Sequence, residues 1–121
     1  MKNMPMTAMH APHSAGQRNS GPWTPMKYVL LSNDYELFFG ANHLPETDVL
    51  CAPTDKMLDR LAEAEAPMTF FCDVACLWRY RELGKNNFVD AVEEQLRAIV
   101  ARGHDVQAHL HPHWLYTDFT F

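Results

Sequence analysis

Residues 87–113 read NFVDAVEEQLRAIVARGHDVQAHLHPH, and they contain the clearest helix and the clearest strand of the sequence. Apolar residues recur there at the spacing of one helix face: Val89, Val92, Leu96, Ile99 and Val100. Asn87 is predicted to cap this helix, and Gly103 fits the position that ends it. From Val106 to His111 the side chains then alternate in polarity, which predicts a strand directly after the helix.

Two further apolar segments precede this pair and are predicted to be strands. Residues 27–32 form a short, nearly continuous apolar run, typical of a strand buried on both faces, and residues 68–74 form a second. A helix between them is predicted to have Thr54 as its N-cap and to be stopped by Pro67. Residues 37–53 have the composition of a loop.

Strands that alternate with helices in this order predict an α/β fold with a parallel sheet. In such folds, chemistry takes place at the C-terminal ends of the strands. The acid-rich segment with Asp34 and Glu36 follows the first predicted strand, and the histidine run 109–113 ends the third. The sequence therefore predicts that these two motifs share one site.

Length, charge and cysteine content limit the class of protein. The chain has 121 residues, enough for one domain, and a formal net charge of -5 without a long basic run. Nucleic acid and anionic membranes are therefore not predicted as partners, and no apolar run approaches the ~18 residues of a membrane span. An odd number of cysteines and the lack of a signal-peptide core favour a cytoplasmic protein.

Residues 1–25 are predicted to lie outside the folded domain. They are rich in proline and glycine and show no periodic apolar pattern, which is typical of a disordered tail. Met26, directly before the first apolar run, is an alternative start of translation. The partial α/β domain is therefore predicted to span residues 26–121.

The histidine run is the strongest chemical signal of the sequence. His109, His111 and His113 occupy alternate positions, and neutral imidazole is the commonest protein ligand of zinc. A carboxylate from another strand end would complete an open site for a divalent metal, with zinc expected. Asp34 and Glu36 are the candidates: one can bind the metal while the other handles protons.

Several of these residues also have an ordinary structural interpretation. The two acids could begin a solvated loop, and His111 could be a neighbour of the ligands or a pocket residue. Asp73 could cap a loop at the end of the second strand or belong to the site. His104 is predicted to cap the preceding helix in its charged form, which would suit the helix dipole.

Three segments of the sequence together match the motifs of one enzyme family. Leu31-Ser32-Asn33-Asp34-Tyr35-Glu36 resembles a first motif in which a strand ends in an acid-rich turn. Thr69-Phe70-Phe71 is similar to a Thr-Phe-Phe in the second strand. Gly103-His104-Asp105-Val106, followed by His109 and His113, resembles Gly-His-Glu-Ile and then His-x-x-x-His. These are the motifs of the polysaccharide deacetylases, the NodB homology domain of carbohydrate esterase family four, and the resemblance covers residues 26–114.

The resemblance implies both an activity and a set of roles. The reaction would be removal of an acetyl group from the amide nitrogen of an N-acetylated sugar. Glu36, His109 and His113 would bind the metal, and Asp34 would be the catalytic base. Tyr35 stands where the commonest family pattern has a second aspartate, which leaves the roles of Asp34 and Glu36 open to exchange.

The implied fold is a distorted (β/α) barrel, of which this chain would be the N-terminal portion. A complete barrel needs ~200 or more residues. We therefore expect a fragment without activity of its own, complemented by a C-terminal half or by a second copy of the chain. Two alternatives remain open: a non-catalytic remnant that binds metal or a partner through an exposed sheet edge, and an unrelated His-x-His metallohydrolase of the amidohydrolase type.

Overall fold

The computed structural model describes residues 26–37 and 45–118 and has a mixed α/β architecture with a parallel sheet. Its elements, in chain order, are β1 (Ser32–Tyr35), α1 (Glu46–Val49), α2 (Cys51–Glu63), β2 (Thr69–Asp73), α3 (Val74–Glu82), α4 (Asn86–Ala101), β3 (Asp105–His109) and a 3₁₀ helix (Pro112–Tyr116). The predicted fold class is confirmed at this level, and the barrel stays a prediction. The predicted tail at residues 1–25 lies outside the described residues.

The sheet has the order β1-β2-β3, and both pairs of neighbours run parallel. Tyr35 pairs with Cys72, and Asp73 pairs with His109. The C-terminal ends of the three strands therefore meet at one edge of the sheet. Glu36, Asp73 and His109 are each the last residue of a strand or the residue just after it.

The first strand lies further along the chain than the sequence predicts. Residues 27–31 precede β1, and Val29 and Leu30 are 83% and 94% exposed, so the prediction of a strand buried on both faces was wrong there. The cause is the position of the neighbouring strand. Ser32 pairs with Thr69, where β2 begins, so the residues before Ser32 extend beyond the N-terminal end of β2. An apolar run in the sequence does not show at which residue the neighbouring strand of the sheet begins.

One face of the sheet is covered by helices and the other is more polar and more open. The core on the covered face combines side chains of β1, β2, α2 and α4, including Tyr35, Phe70, Leu58, Val92 and Ile99. On the other face, Asp34, Phe71 and Gln107 form one row across the strands. Asp34 and Gln107 are exposed and Phe71 is half-buried.

The helix before β2 begins three residues earlier than Thr54, so the predicted N-cap was wrong. The Thr54 hydroxyl donates to the carbonyl of Leu50 at 2.8 Å, a bond from within the helix to the preceding turn. Pro53 is accommodated because it lies in the first turn, where its missing N–H costs no helical hydrogen bond. Part of the region predicted as a loop is therefore helical.

The region between β2 and β3 contains two helices where the sequence clearly predicts one. The N-cap of α4 is Lys85 and Asn87 lies inside the helix, so the predicted cap was wrong. The additional helix α3 is capped by Asp73, whose Oδ1 accepts from the backbone N–H groups of Ala75 and Cys76 at 3.1 and 3.3 Å. Asp73 thus acts as a cap at the end of the second strand, as one interpretation of the sequence held, but it caps a helix and not a loop.

Helices α2, α3 and α4 share one type of C-terminus. A left-handed residue follows each C-cap: Glu65 (φ 51°), Gly84 (φ 74°) and Gly103 (φ 88°). After α4, the N–H of Gly103 donates to Val100 and that of His104 donates to Ile99, the paired bonds of a Schellman motif. The predicted role of Gly103 is confirmed.

The His104 side chain does not act as a charged cap. Its ring is buried against Phe70, with centroids 5.7 Å apart, and its Nδ1 accepts from the N–H of Met68 at 3.2 Å. An accepting nitrogen requires the neutral imidazole. Burial, together with the charge of Arg102, lowers the pKa of His104, so the charged form predicted from the sequence is disfavoured.

Cys51, Cys72 and Cys76 are free thiols. Cys72 and Cys76 are buried and Cys51 is half-buried. Burial, with the charge of Asp73, raises the pKa of Cys72 to about 11, so its thiol stays protonated and packs as a small apolar group. Within the described residues, no helix combines the length and the apolar character needed to cross a membrane.

Candidate metal centre

Glu36, His109 and His111 converge at the C-terminal edge of the sheet. One ligand atom from each lies within 4.8 Å of the others. The Nε2 atoms of His109 and His111 are 3.0 Å apart. Oε2 of Glu36 lies 3.3 Å from Nε2 of His109 and 3.2 Å from Nδ1 of His111. A carboxylate at the C-terminal end of β1 thus lies close to two imidazoles at the C-terminal end of β3, two positions apart in the chain.

The local structure explains why these side chains meet. Tyr35 and Glu36 are consecutive at the end of an extended strand, so their side chains point to opposite sides, Tyr35 into the core and Glu36 towards the site. His109 is the last residue of β3. The chain then turns into the 3₁₀ helix at Pro112, while the N–H of His111 donates to Oδ1 of Asp73 at 3.3 Å.

Two of the separations between candidate ligand atoms suit one small divalent ion. Zinc binds nitrogen and oxygen ligands at about 2.0–2.2 Å in a tetrahedron, which places neighbouring ligand atoms about 3.3 Å apart. The Nε2 pair at 3.0 Å and the Glu36–His109 contact at 3.3 Å are close to this separation. Two imidazoles and one carboxylate are also a common set of protein ligands for zinc.

The polar atoms of the centre are not all satisfied by the protein. Oε2 of Glu36 is buried and, among the described residues, makes no hydrogen bond of acceptable alignment. Its contacts with Nε2 of His109 and Nδ1 of His111 are therefore close approaches and not hydrogen bonds. A buried carboxylate oxygen without a partner is costly, and a cation between Glu36 and the imidazoles would remove that cost.

Asp73 supports the centre from the middle strand. It is 1% exposed, and its Oδ1 accepts from the N–H of His111 as well as from the two N–H groups of α3. Its Oδ2 is buried and has no hydrogen-bond partner in the described part of the chain. That atom lies 3.5 Å from Nδ1 of His111. Asp73 is therefore both a helix cap and a neighbour of the histidines.

His111 takes the position beside Glu36 and His109 that the resemblance assigns to His113. His113 lies in the 3₁₀ helix, and its ring centroid is 5.3 Å from that of His111. Its ligand role stays a prediction. The spacing in the sequence made His111 a candidate, because residues two apart on a strand project to one face. Since β3 ends at His109, the spacing alone does not place His111 in the site.

Asp34 lies in β1, on the same face as Glu36 but one row further from the strand end. It is exposed on the open face of the sheet, beside Phe71 of β2. This position is accessible to solvent. Its role as a proton acceptor stays a prediction.

Comparison with protein-family models, with curated proteins and with solved structures finds no match to this chain. The site is therefore defined by its own geometry. It belongs to the class of open His/His/carboxylate arrangements that could hold one divalent metal at the C-terminal edge of a parallel sheet.

Proposed function

We propose that the chain carries the metal centre of a hydrolase that removes acyl groups from amide nitrogen, with N-acetylated sugars as the substrate class. The convergence of Glu36, His109 and His111 at the ends of parallel strands carries this proposal. The resemblance of three motifs to polysaccharide deacetylases supports the choice of reaction. The buried Glu36 oxygen without a hydrogen bond in the described region supports a cation as the missing partner.

Three of the residues would bind the metal ion, and a fourth would accept a proton. Glu36, His109 and His111 hold a divalent metal, with zinc favoured by the ligand set. When bound, zinc supplies a Lewis acid and a water of lowered pKa. Asp34 is the candidate to accept a proton, because it is exposed on the same strand face as Glu36.

The open face of the sheet is the side from which a substrate would approach. Asp34 and Gln107 are exposed there, one row away from the Asp73–His109 pair. The carboxylate of Asp34 and the carboxamide of Gln107 can both hydrogen-bond to sugar hydroxyl and amide groups. This polar surface supports a carbohydrate as the substrate class more than an apolar acyl chain.

Zinc content tests the centre. The protein, loaded with zinc and dialysed, should retain about one equivalent by elemental analysis. The double variant His109→Ala with His111→Ala should retain none, and Gln107→Ala, an exposed neighbour on β3, should match the wild type. Zinc content unaffected by the double substitution would remove the site.

Acetate release tests the reaction. It is measured on N-acetylglucosamine oligomers with the full natural gene product that contains this chain, because the resemblance implies a longer barrel. We expect release that depends on added zinc and is lost in Glu36→Gln. Zinc retained at one equivalent without release would favour the non-catalytic, metal-binding alternative.

A further inference from the structure

We propose that Asp73 is the positioning residue of this centre. Its Oδ2 accepts from Nδ1–H of His111 and thereby directs Nε2 of His111 towards the ion that Nε2 of His109 also binds. This inference rests on the proposed metal centre and adds to it a residue of the middle strand. It also assigns His111, and not His113, as the second imidazole ligand.

The two oxygens of Asp73 have different partners. Oδ1 accepts from three backbone N–H groups, those of Ala75, Cys76 and His111, at 3.1 to 3.3 Å. These bonds fix the plane of the carboxylate, because three donors converge on one of its oxygens. Oδ2 is then held in a set direction, and it lies 3.5 Å from Nδ1 of His111.

Because Asp73 is buried, solvent cannot readily satisfy Oδ2, and the direction in which Oδ2 points determines which protein group can donate to it. Asp73 is 1% exposed, and Oδ2 has no hydrogen-bond partner among residues 26–37 and 45–118. A buried carboxylate oxygen without a donor is unfavourable, so a hydrogen bond to Oδ2 would be stabilising. Nδ1 of His111 is the nitrogen placed to supply that hydrogen.

Nδ1 of His111 also lies near the carboxylate of Glu36. Binding of an ion determines which of the two carboxylates accepts its hydrogen. In the structure Nδ1 of His111 is 3.2 Å from Oε2 of Glu36 and 3.5 Å from Oδ2 of Asp73. With an ion bound, Oε2 of Glu36 is engaged as a ligand and leaves Nδ1–H to Asp73. The ring then has Nε2 free of a proton, and that nitrogen already lies 3.0 Å from Nε2 of His109. Metal-bound histidines commonly donate their other N–H to a carboxylate in this way.

Asp73 acts through His111 and is not itself placed as a ligand. The group of mutually close ligand atoms contains Glu36, His109 and His111. Asp73 lies behind His111, holding both its backbone N–H and its ring. The Asp73 side chain thus caps α3 and also sets the orientation of His111, which follows β3.

Asp73→Asn separates the positioning role from the capping role. The amide oxygen can keep the three backbone donors, since asparagine is as good an N-cap as aspartate. Its NH₂ group then faces Nδ1 of His111, which must accept, so the ring proton moves to Nε2 and blocks that nitrogen as a ligand. Asp73→Ser also keeps a cap but removes any group at the Oδ2 position. Asp90→Asn is the matched control, because this exposed carboxylate pairs with Arg81 on the surface.

Two measurements decide the proposal. The first is zinc affinity by competition with a chelator, together with a thermal melt of each variant. Asp73→Asn and Asp73→Ser should melt cooperatively and bind zinc about 10- to 100-fold more weakly than Asp90→Asn. The second is a long-range ¹⁵N spectrum of the zinc-free protein at a pH where imidazole is neutral, recorded in a Glu36→Ala background that removes the competing carboxylate 3.2 Å from Nδ1 of His111. In that background His111 should be protonated at Nδ1 when Asp73 is present and at Nε2 when Asp73→Asn is added.

Each outcome bears on one claim. Wild-type zinc affinity in both folded Asp73 variants, or an unchanged His111 tautomer in Asp73→Asn, would overturn the positioning role and leave the metal centre intact. Failure of the wild type to retain zinc, with an Asp73-dependent tautomer of His111, would overturn the proposed function and leave the Asp73–His111 contact standing. Should Asp73→Asn not fold, Asp73→Ser carries the affinity test.

Discussion

The hydroxyl of Tyr35 donates a 2.6 Å hydrogen bond to Oε1 of Gln95 across the core. The Nε2 of Gln95 in turn donates to the carbonyl of Cys51 at 2.8 Å and to Oδ1 of Asp55 at 2.6 Å. This network ties the end of β1 to α2 and α4. Because Tyr35 and Glu36 are consecutive and point to opposite sides, the anchor in the core also sets the direction of Glu36 towards the site.

Removal of the Tyr35 hydroxyl should lower the stability of the fold. Tyr35→Phe keeps the ring against Phe70 but leaves Oε1 of Gln95 without its donor. We expect the free energy of unfolding to fall by about 1–3 kcal/mol, measured by urea denaturation. Tyr28→Phe, at a position 78% exposed, is the control and should change little. Equal stability of the two variants would show that the network does not form.

Single histidine substitutions should distinguish His111 from His113. His111→Ala removes one of the two imidazoles that lie beside Glu36, so the zinc affinity should fall by at least about 10-fold. His113→Ala changes a ring that stacks on His111, and we expect a smaller loss of affinity. Competition with a chelator measures both. A larger loss in His113→Ala would favour the ligand set implied by the family resemblance.

The two acids of β1 should have separable roles. Glu36→Gln removes the carboxylate beside the imidazoles and should weaken zinc binding, measured by elemental analysis after dialysis. Asp34→Asn should keep zinc and lose about 10²–10⁴-fold in turnover of an N-acetylated sugar oligomer, because a proton acceptor is removed. The reverse pattern, zinc lost in Asp34→Asn and kept in Glu36→Gln, would exchange the assignments.

Protonation of His104 should destabilise the fold at low pH. Its folded-state pKa is lowered, so the unfolded chain takes up the proton first as the pH falls below about 6.5. Stability from this residue is therefore present above that pH and is lost as the pH falls towards the folded-state pKa. His104→Asn can still accept from the N–H of Met68 and should show a smaller loss between pH ~7.5 and ~5. Urea denaturation of the zinc-free proteins at both pH values makes the comparison, and equal losses would contradict the prediction.

Glycine at position 65 should stabilise the end of α2. Glu65 is exposed and has a φ of 51°, a conformation that glycine adopts without strain. We expect Glu65→Gly to raise the free energy of unfolding by about 0.5–1 kcal/mol, since relief of strain outweighs the added freedom of the unfolded chain. Lys56→Gly, at an exposed position in the middle of the same helix, should instead lower it by about 0.5–1 kcal/mol. Thermal melts of the two variants should move in opposite directions.

Much of the fold is predictable because the apolar period is a local property. The apolar run 68–74 predicts β2, the alternating pattern predicts β3 and the helical spacing predicts α4, while Gly103 marks the end of α4. The short helix α3 was not recognised, because its start depends on the Asp73 cap at the end of a strand. The N-caps at Thr54 and Asn87 were wrong for a related reason: suitable residue types occur both at helix starts and within helices.

The sequence by itself determined that an acid-rich strand end and a histidine-rich strand end would share one edge of a parallel sheet, since alternating strands and helices leave few other arrangements. Only the tertiary structure decided which side chains meet there. The register between β2 and β3 places Asp73 opposite His109. A hydrogen bond from the backbone N–H of His111 to the Asp73 carboxylate then fixes the position of His111, just before the chain turns at Pro112. These are contacts between residues 36 to 38 positions apart, and no local pattern encodes them. His111 therefore joins Glu36 and His109 through packing across strands, which the spacing of histidines in the sequence does not specify.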